Sequence, residues 1–310
     1  MLSKGYGVRL TPSGGSATLI GGITNQVVSF ESEQIAEATA GNIYARQGEI
    51  TRVHPRAQFT SHAVGAVADL LGLTGACLSG GANPGAEFWE LALDGCGKVK
   101  SGATDHRKFI IPNGAAVMRS ISASHRQAAT VQVEVLSYWD GTNDPIIISE
   151  SQPAPTGLDD THRFQLGLVR IGSHTIAGNL SIEIDLGNEI APDGGDSDPF
   201  DSHIVQQSVI PRITLRTRDV AKFAASIIPL RGLRGTHANT EIVLRRRVNG
   251  TSGFSNTSDN IRITADVMAN WETAFDAAGN NRGEASLTMT ALDDGTNAPL
   301  VIATNFDPSV

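Results

Sequence analysis

The sequence contains few cysteines and few aromatic residues. Cys77 and Cys96 are its only cysteines among 310 residues, and Phe, Trp and Tyr together make up 5% of the chain. Two cysteines cannot form the disulfide framework of a small secreted domain, so both are expected to be reduced, buried thiols. Carbohydrate-binding sites usually display clustered exposed aromatic side chains. The low aromatic content therefore disfavours a duplicated adhesin or carbohydrate-binding module.

Long hydrophobic runs are also absent. No stretch of about 18 apolar residues occurs, and the opening "MLSKGYGVRLTPSGG" lacks the apolar centre of a signal peptide. The sequence therefore predicts a soluble chain that is synthesised in a cytoplasm and is not inserted in a membrane.

The chain is poor in charge, and what charge it has is mainly acidic. Charged residues make up 18% of the chain and the formal net charge is −8, against a usual charged share of about 25%. This balance gives no indication of a basic groove that would hold phosphates. Thirty-three glycines and 13 prolines indicate many turns. The neutral polar surface that remains is suited to contacts between copies of the chain.

The motifs of common catalytic sites are missing. The sequence has no G-x-S-x-G, no phosphate-binding loop ending in Gly-Lys-Ser/Thr and no H-E-x-x-H. The cluster "SGGANPG" at 79–85 precedes a predicted helix but lacks that ending, so a flexible connection is favoured over a nucleotide site. The eight histidines are never paired three or four residues apart, which disfavours a zinc site. We expect no enzymatic activity and no cofactor.

Two charged clusters need an explanation. The stretch "DGGDSDPFD" at 193–201 offers carboxylates that suit calcium, but it lacks the glycine at position six and the glutamate at position twelve of a helix–loop–helix calcium site. A solvated loop is therefore favoured over a cation site. The run Arg245, Arg246 and Arg247 alternates between the two faces of a strand and cannot form one phosphate-binding row. Ion pairs at a subunit contact or an exposed edge are favoured over nucleic-acid binding.

One hexapeptide pattern occurs twice. Residues 140–148 read "DGTNDPIII" and residues 294–302 read "DGTNAPLVI", so the two copies start 154 residues apart (294 minus 140). Asp-Gly and Thr-Asn suit a turn, and the proline suits the start of a last strand, where a missing amide is tolerated. The hexad is therefore interpreted as a feature of the fold. Its signature residues are Asp140, Gly141, Pro145, Asp294, Gly295 and Pro299.

Other segments match in the same order at nearly the same spacing. "GSATLIG" from Gly15 matches "GSHTIAG" from Gly172, and Val-x-Pro-Arg starts at Val53 and again at Val209. Each Val-x-Pro-Arg precedes an amphipathic helical pattern, at 64–71 and at 220–227, and Gly72 or Gly75 is expected to end the first helix. These matches predict a tandem duplication.

One further match does not share that spacing. "WELALDGCG" from Trp89 and "WETAFDAAG" from Trp271 are 182 residues apart (271 minus 89). Both read as amphipathic helices, which match either by coincidence or because the copies differ by insertions.

The pattern predicts a mainly β fold with flanking helices. Each copy reads as alternating strands around one helix, which suggests two tandem β-sandwich or barrel domains related by internal duplication. The prolines and glycine of "SESQPAPTGLDDTH" place the linker between the copies. The expected domains are residues 1–155 and residues 156–310.

Two segments resemble a known protein family. "ANPGAEFWELALDGCG" at 82–97 has a small residue–Pro–aromatic–Leu–x–x–Cys-Gly pattern, and strands from "ATVQVEVLSYWDG" follow it. "FQLGLVRIGSHTIAG" and "LSIEIDLGNE" look like the opening strands of the same domain in the second copy. In these segments the chain resembles the tail tube proteins of long-tailed, siphovirus-type bacteriophages that have a duplicated tube domain. The second copy departs from the pattern at Ala278-Gly279, where Cys-Gly is expected.

The resemblance implies a structural virion protein. In that family, β-sandwich domains with a flanking helix join their sheets around a ring and line a channel. Three duplicated chains would give a pseudo-six-fold ring, and stacked rings would give the tube that delivers the genome into the host cell. The expected partners are other copies of the chain, tail proteins at both ends, and genomic DNA that passes through without specific binding.

Two loops that differ between the copies are expected to contact the next ring. They span about residues 33–51 and 189–203, and we expect deletion of residues 193–201 to leave soluble trimers that do not polymerise. Their candidate inter-ring residues are Glu33, Arg46, Asp193, Asp196, Asp198 and Asp201.

Other functions remain open at this point. A double jelly-roll capsid protein would also have two β domains per chain, and a tail-tip or tail-terminator protein shares the tube fold. The helix after each Val-x-Pro-Arg favours the tube over the capsid.

Overall fold

The computed structural model describes most of the chain, with gaps at its ends and in several connections. The described residues are 5–38, 44, 47–79, 84–100, 104–157, 163–195, 198–221, 239–248, 253–276, 283–293, 295–296 and 298–308. Within them the chain forms β-strands and one short α-helix, so the prediction of a mainly β fold is confirmed.

The described part of the first half contains ten strands and the helix α1. They are β1 (Gly5–Leu10), β2 (Thr18–Ile20), β3 (Ile23–Glu37), β4 (Gln47–Ser61), α1 (Val64–Leu71), β5 (Ala76–Ser79), β6 (Ala86–Leu91), β7 (His106–Ile111), β8 (Asn113–Ser124), β9 (Thr130–Ser137) and β10 (Ile147–Gln152).

The described part of the second half contains ten more strands. They are β11 (Phe164–Ile171), β12 (His174–Ile176), β13 (Asn179–Asp185), β14 (Asn188–Asp193), β15 (His203–Val209), β16 (Arg212–Thr217), β17 (Asn239–Arg246), β18 (Asn260–Asp276), β19 (Glu284–Ala291) and β20 (Leu300–Phe306).

The strands form three antiparallel sheets. A five-stranded sheet has the order β10-β7-β6-β1-β2, and β14 and β15 form a two-stranded sheet. The third sheet has thirteen strands, eleven of them in the order β12-β11-β17-β18-β19-β16-β13-β8-β9-β4-β3, with β20 paired to β18 and β5 paired to β8. Strands from both halves of the chain therefore belong to one large sheet.

Alternation of side chains explains why these segments form strands. In β19, every second residue is buried, namely Ala285, Leu287, Met289 and Ala291. Side chains of a strand point alternately to its two faces, so this period of two puts the apolar set on one face. The large sheet consequently has an apolar face and a polar face.

The apolar face packs against the second layer of strands. Phe59 of β4 and Phe88 of β6 meet edge to face with their ring centroids 6.2 Å apart, which joins the large sheet to the five-stranded sheet. In the second half, β17 and β19 belong to the same large sheet and are joined through β18, and Thr240 of β17 donates a hydrogen bond to the sulfur of Met289 in β19 over 3.6 Å. The buried apolar residues of the two halves form one continuous cluster.

The predicted first helix is confirmed as α1. Its buried face consists of Val64, Gly65, Val67, Ala68 and Leu71. It ends at Gly72, whose φ of 60° is favourable for glycine and whose amide donates to the Ala68 carbonyl over 2.9 Å. The predicted second helix falls largely on residues 222–238, which lie outside the described part of the chain.

Helix α1 also contacts the second half. The Thr304 hydroxyl of β20 donates to the Asp69 carboxylate over 2.6 Å. On the helix itself, the position of a β-carbon on Gly65 would lie 3.6 Å from the Phe164 ring and 3.7 Å from Ile261. The helix of the first half therefore packs against strands of the second.

Two expectations from the sequence are wrong. The segments at Trp89 and Trp271 lie in strands β6 and β18, not in helices, and the strand β6 follows the glycine cluster at 79–85. Phe88 and Trp89 are both buried, because β6 is covered on both faces, and this removes the alternation that marks a strand.

The two cysteines, Cys77 and Cys96, are exposed and not buried. Cys77 points away from the core beside the buried Leu78, and Cys96 lies in a turn capped by Asp94.

Candidate assembly surface

The pairing of β8 with β13 joins the two halves of the large sheet. Ser120 to Ser124 lie opposite Asp185 to Ser181 in an antiparallel register. On the apolar face Ile121 and Ile184 are partners and both are fully buried, while on the polar face Ser122 lies opposite Glu183. The junction therefore has one apolar face and one polar face, like the strands on either side of it.

The polar face continues across the junction without interruption. One row of directly opposed residues crosses eight strands, from β3 to β18: Asn25, Thr60, Gln132, Ser120, Asp185, Arg212, Thr290 and Met268. All but Met268 are polar or charged. The sheet thus presents one extended polar surface that belongs to both halves.

Ion pairs balance the charges on this face. The Arg119 Nε donates to Glu134 over 2.5 Å, and Glu134 is only 4% exposed. Arg56 pairs with Glu31 from the neighbouring strand, and Arg216 reaches Glu284 over 3.0 Å. Because these arginines are matched by carboxylates, the surface has no block of uncompensated positive charge from them.

The large sheet has a long free edge at β3. Among the described residues, β3 pairs with β4 and with no strand on its other side. Three of its apolar residues are about half exposed: Val27 at 49%, Phe30 at 51% and Ile35 at 51%. Unpaired amides next to exposed apolar side chains form a surface on which another strand can add.

A second free edge lies at the carboxyl end of β18. Residues 267–276 of β18 pair with β19, and no strand in the described part of the chain pairs with their other edge. The large sheet therefore has an unpaired edge in each half.

A segment of the second half binds to β4 of the first half. Val53 forms a parallel bridge with Phe200, and its amide donates to the Pro199 carbonyl over 3.2 Å. The Trp139 amide donates to the Asp201 carbonyl over 2.7 Å, and the Trp139 and Phe200 rings pack against each other. These contacts fix residues 199–201 on the first half.

His54 connects this segment to β3. Its Nδ1 lies 2.6 Å from the Asp201 carboxylate and its Nε2 lies 3.2 Å from Glu33. Asp201 is 1% exposed, and the Arg52 guanidinium lies 3.8 Å from it. Partial burial opposes protonation of His54, but the hydrogen bonds and charges of Asp201 and then Glu33 outweigh it, so the pKa of His54 is raised above 6.5.

The structure brings together two of the predicted inter-ring residues. Glu33 of β3 and Asp201, which lies between β14 and β15, contact the same histidine. The predicted loops are shorter than expected, because residues 33–37 belong to β3, residues 47–51 to β4 and residues 189–193 to β14. Asp193 pairs with His203 in the β14–β15 hairpin, and Asp198 accepts a hydrogen bond from the Gly195 amide over 3.1 Å. Arg46 and Asp196 lie outside the described residues.

The two hexads occur at turns before the last strand of each half. Gly141 and Gly295 have φ values of 86° and 77°, a region that favours glycine. Asp140 accepts hydrogen bonds from the amide and side chain of Asn143 and from the amide of Thr142, which hold the pKa of its carboxyl below the ordinary value. Pro145 is buried, Pro299 is partly buried, and Asp294 is outside the described part of the chain.

The arginine run lies on β17 and its end. Arg246 pairs with Asp259 over 2.5 Å, while the guanidinium groups of Arg245 and Arg247 both lie over the Phe254 ring. The run is therefore divided between ion pairing on one side and cation–π contacts on the other.

Sequence reasoning missed the β8–β13 junction and His54. The alternation in "RSISAS" at 119–124 could have identified β8 as a strand, but the local sequence does not indicate which strand pairs with it. No local sequence pattern indicates that His54 contacts a carboxylate, because its partner Asp201 is 147 residues away in the chain.

The described residues contain neither a candidate metal-binding cluster nor a membrane-spanning helix. In that part of the chain, no group of three or more His, Cys, Asp or Glu residues is placed to hold a metal ion. None of the helical residues described forms a helix long and apolar enough to cross a membrane.

No protein-family model matches the chain, and no curated protein matches it.

Proposed function

We propose that the chain is a self-assembling structural subunit of a tube, namely the major tail tube protein of a long-tailed bacteriophage. In this proposal two copies of one β domain form the chain, three chains form a pseudo-six-fold ring, and the rings stack around a channel for DNA. The observation that carries it is the β8–β13 pair, because it turns the strands of both halves into one continuous wall.

Recurring strand pairings support descent of both halves from one domain. A row of four opposed residues crosses β1, β6, β7 and β10 in the first half: Val8, Phe88, Phe109 and Ile148. A row of four crosses β11, β17, β18 and β20 in the second half: Val169, Ile242, Ile263 and Ile302. The last three members of each row differ by 154 positions (242 minus 88, 263 minus 109, 302 minus 148), which is the spacing of the hexads.

The large sheet has the same recurrence. Val28, Ala57 and Val135 are opposed across β3, β4 and β9. Their counterparts across β13, β16 and β19 are Ile184, Ile213 and Met289. Chance agreement of registers in two layers is hard to obtain, since a slip of one residue turns every side chain to the other face.

The polar face suits a channel wall. Its side chains are hydroxyl, amide and charge-balanced groups, and the whole chain has a net charge of −8. A basic lining would bind DNA by releasing counterions and would slow its passage. A neutral or acidic lining lets a polyanion slide.

The proposal is tested by observing what purified protein assembles into. We expect light scattering to give a mass of three chains and negative-stain microscopy to give rings with a central hole or striated tubes. Monomers at every concentration, without rings, would contradict it, and icosahedral shells would favour the capsid alternative.

A matched pair of variants separates assembly from folding. Phe30→Asp places a charge on the free edge of β3, where the side chain is 51% exposed, so folding is retained while ring formation falls. Ile148→Asp, on β10 of the five-stranded sheet, is the control: its side chain is 53% exposed and lies outside the proposed contacts, so rings should remain intact.

A further inference from the structure

We propose that the free edge of β3 in one chain pairs with residues 271–276 of β18 in a second copy, in the register that β13 and β8 adopt inside the chain. This inference rests on the proposed function and specifies the contact between chains. The junction inside the chain is its template, because β3 corresponds to β13 and the carboxyl end of β18 corresponds to β8.

The correspondence of β3 with β13 follows from their neighbours. Val27 lies opposite Gln58, and Glu183 lies opposite Thr214. Gln58 and Thr214 are themselves equivalent, since both lie two positions after the arginine of Val-x-Pro-Arg. Val27 in the first half therefore occupies the place of Glu183 in the second.

The correspondence of β8 with β18 follows in the same way. Ser122 lies opposite Thr130 of β9, and Asp276 lies opposite Glu284 of β19. Thr130 and Glu284 are 154 positions apart (284 minus 130), as the hexads are. Ser122 and Glu183 are partners inside the chain, so Asp276 and Val27 are the predicted partners between chains.

Side chains of the unpaired strand β3 are more exposed than their counterparts on or next to the paired strand β13, as a missing neighbour strand would cause. Leu186, which follows β13 at the internal junction, is 0% exposed, whereas its counterpart Phe30 on β3 is 51% exposed. Ile184 is likewise fully buried, whereas Val28 is only partly buried. A strand laid along β3 would cover the positions that β8 covers along β13.

A second copy is the occupant that fits both edges at once. Within the described residues, β3 and the end of β18 do not pair with each other in one chain. The free edge of β3 is the counterpart of β13, and the free edge of β18 is the counterpart of β8. Because β13 and β8 pair inside the chain, the β3 edge of one chain can pair with the β18 edge of the next chain. Heterologous contacts of this kind repeat from chain to chain and close a ring when the rotation permits.

Paired cysteines test the register. In a Cys77→Ser, Cys96→Ser background, V27C/D276C should give a covalent trimer on non-reducing gels after mild oxidation. Directly opposed residues have Cα atoms about 4.5 to 5.5 Å apart, within the usual disulfide range of about 4.4 to 6.8 Å. The off-register control V27C/T273C should stay at the mass of one chain. The pair S122C/E183C should close a disulfide within the chain, which shows that the template position can be bridged.

The outcomes separate this inference from the proposed function. If microscopy shows rings but V27C/D276C does not cross-link, the proposed register is wrong and the proposed ring assembly still stands. Absence of rings from the wild-type chain would overturn both. Hydrogen exchange gives a second measurement without mutation: β3 amides should be protected in rings and exchange faster in dissociated chains, and equal exchange in both states would contradict the contact.

Discussion

Ile121 of β8 and Ile184 of β13 lie opposite each other, are fully buried, and belong to different halves of the chain. Through this pair the core of the first half continues into the core of the second. The junction is therefore a part of the hydrophobic core as well as a line of backbone hydrogen bonds.

Truncating this pair should destabilise the whole chain. Ile184→Ala removes buried methyl groups and leaves a cavity, so the free energy of unfolding should fall by about 2 to 5 kcal/mol. Urea denaturation measures it. Glu183→Ala, the next residue on the exposed face, is the control and should change stability by less than about 0.5 kcal/mol. Equal effects of the two substitutions would contradict a buried junction.

His54 should make stability depend on pH. Its pKa is raised in the folded chain, so its contribution is fully present below 6.5 and is lost as the pH rises through the folded pKa. Wild type should therefore exceed His54→Gln in unfolding free energy at pH 5.5 by more than at pH 8.5. Denaturant titrations at both pH values provide the measurement. A difference that does not change with pH would mean that His54 is not held protonated by Asp201 and Glu33.

The two hexad glycines should respond alike to substitution. Gly141→Ala and Gly295→Ala each force a β-carbon into the left-handed region, which costs about 1 to 2 kcal/mol. Thermal unfolding of both variants measures the cost. Gly95→Ala is the control, since a β-carbon there meets nothing within 4 Å and the backbone is not in that region. Markedly unequal effects of the two hexad substitutions would argue against equivalent turns.

Positive charge on the polar face should create DNA binding. The variant S122K/Q132K/T214K adds three lysines to that face, whereas A17K/S173K/T175K adds three to exposed positions elsewhere. In assembled rings, the first should retain short DNA at low salt and release it as salt increases, because counterion release drives such binding. Gel-shift or anisotropy titrations compare the two. Equal retention by both would show that the polar face does not line a channel.

The loop before Asp201 offers a test of ring stacking. Deleting residues 193–201 would also remove the Asp201 carboxylate that contacts His54, so a smaller change is preferable. Replacing residues 195–198 by Gly-Gly should keep that contact and removes the hydrogen bond between the Gly195 amide and the Asp198 carboxylate. We expect single rings of normal mass that do not stack, visible by negative-stain microscopy. Tubes of ordinary length would exclude the loop from the inter-ring contact.

Local patterns in the sequence predict the mainly β fold and helix α1. Strands such as β19 alternate strictly, and the spacing of Val64, Val67, Ala68 and Leu71 marks one helical face. The prediction failed at Trp89, where both faces of the strand are buried and the alternation disappears.

Contacts between residues far apart in the chain could not be predicted from the sequence. The contact of β8 with β13 and that of His54 with Asp201 depend on how separate segments meet, and neither leaves a periodic signal in its own segment. The two hexads, in contrast, could be recognised because the same six-residue pattern occurs twice in the chain, at 140–145 and at 294–299.

The bond between Thr304 and Asp69 has a consequence for synthesis of the chain. These residues are 235 positions apart, so α1 leaves the ribosome long before the strand that packs beside it. At about 5 to 20 residues per second, that interval is roughly 12 to 47 s. During this time the growing chain carries a helix whose neighbouring strand has not yet been made, and that surface is open to chaperones and to neighbouring nascent chains on the same messenger RNA.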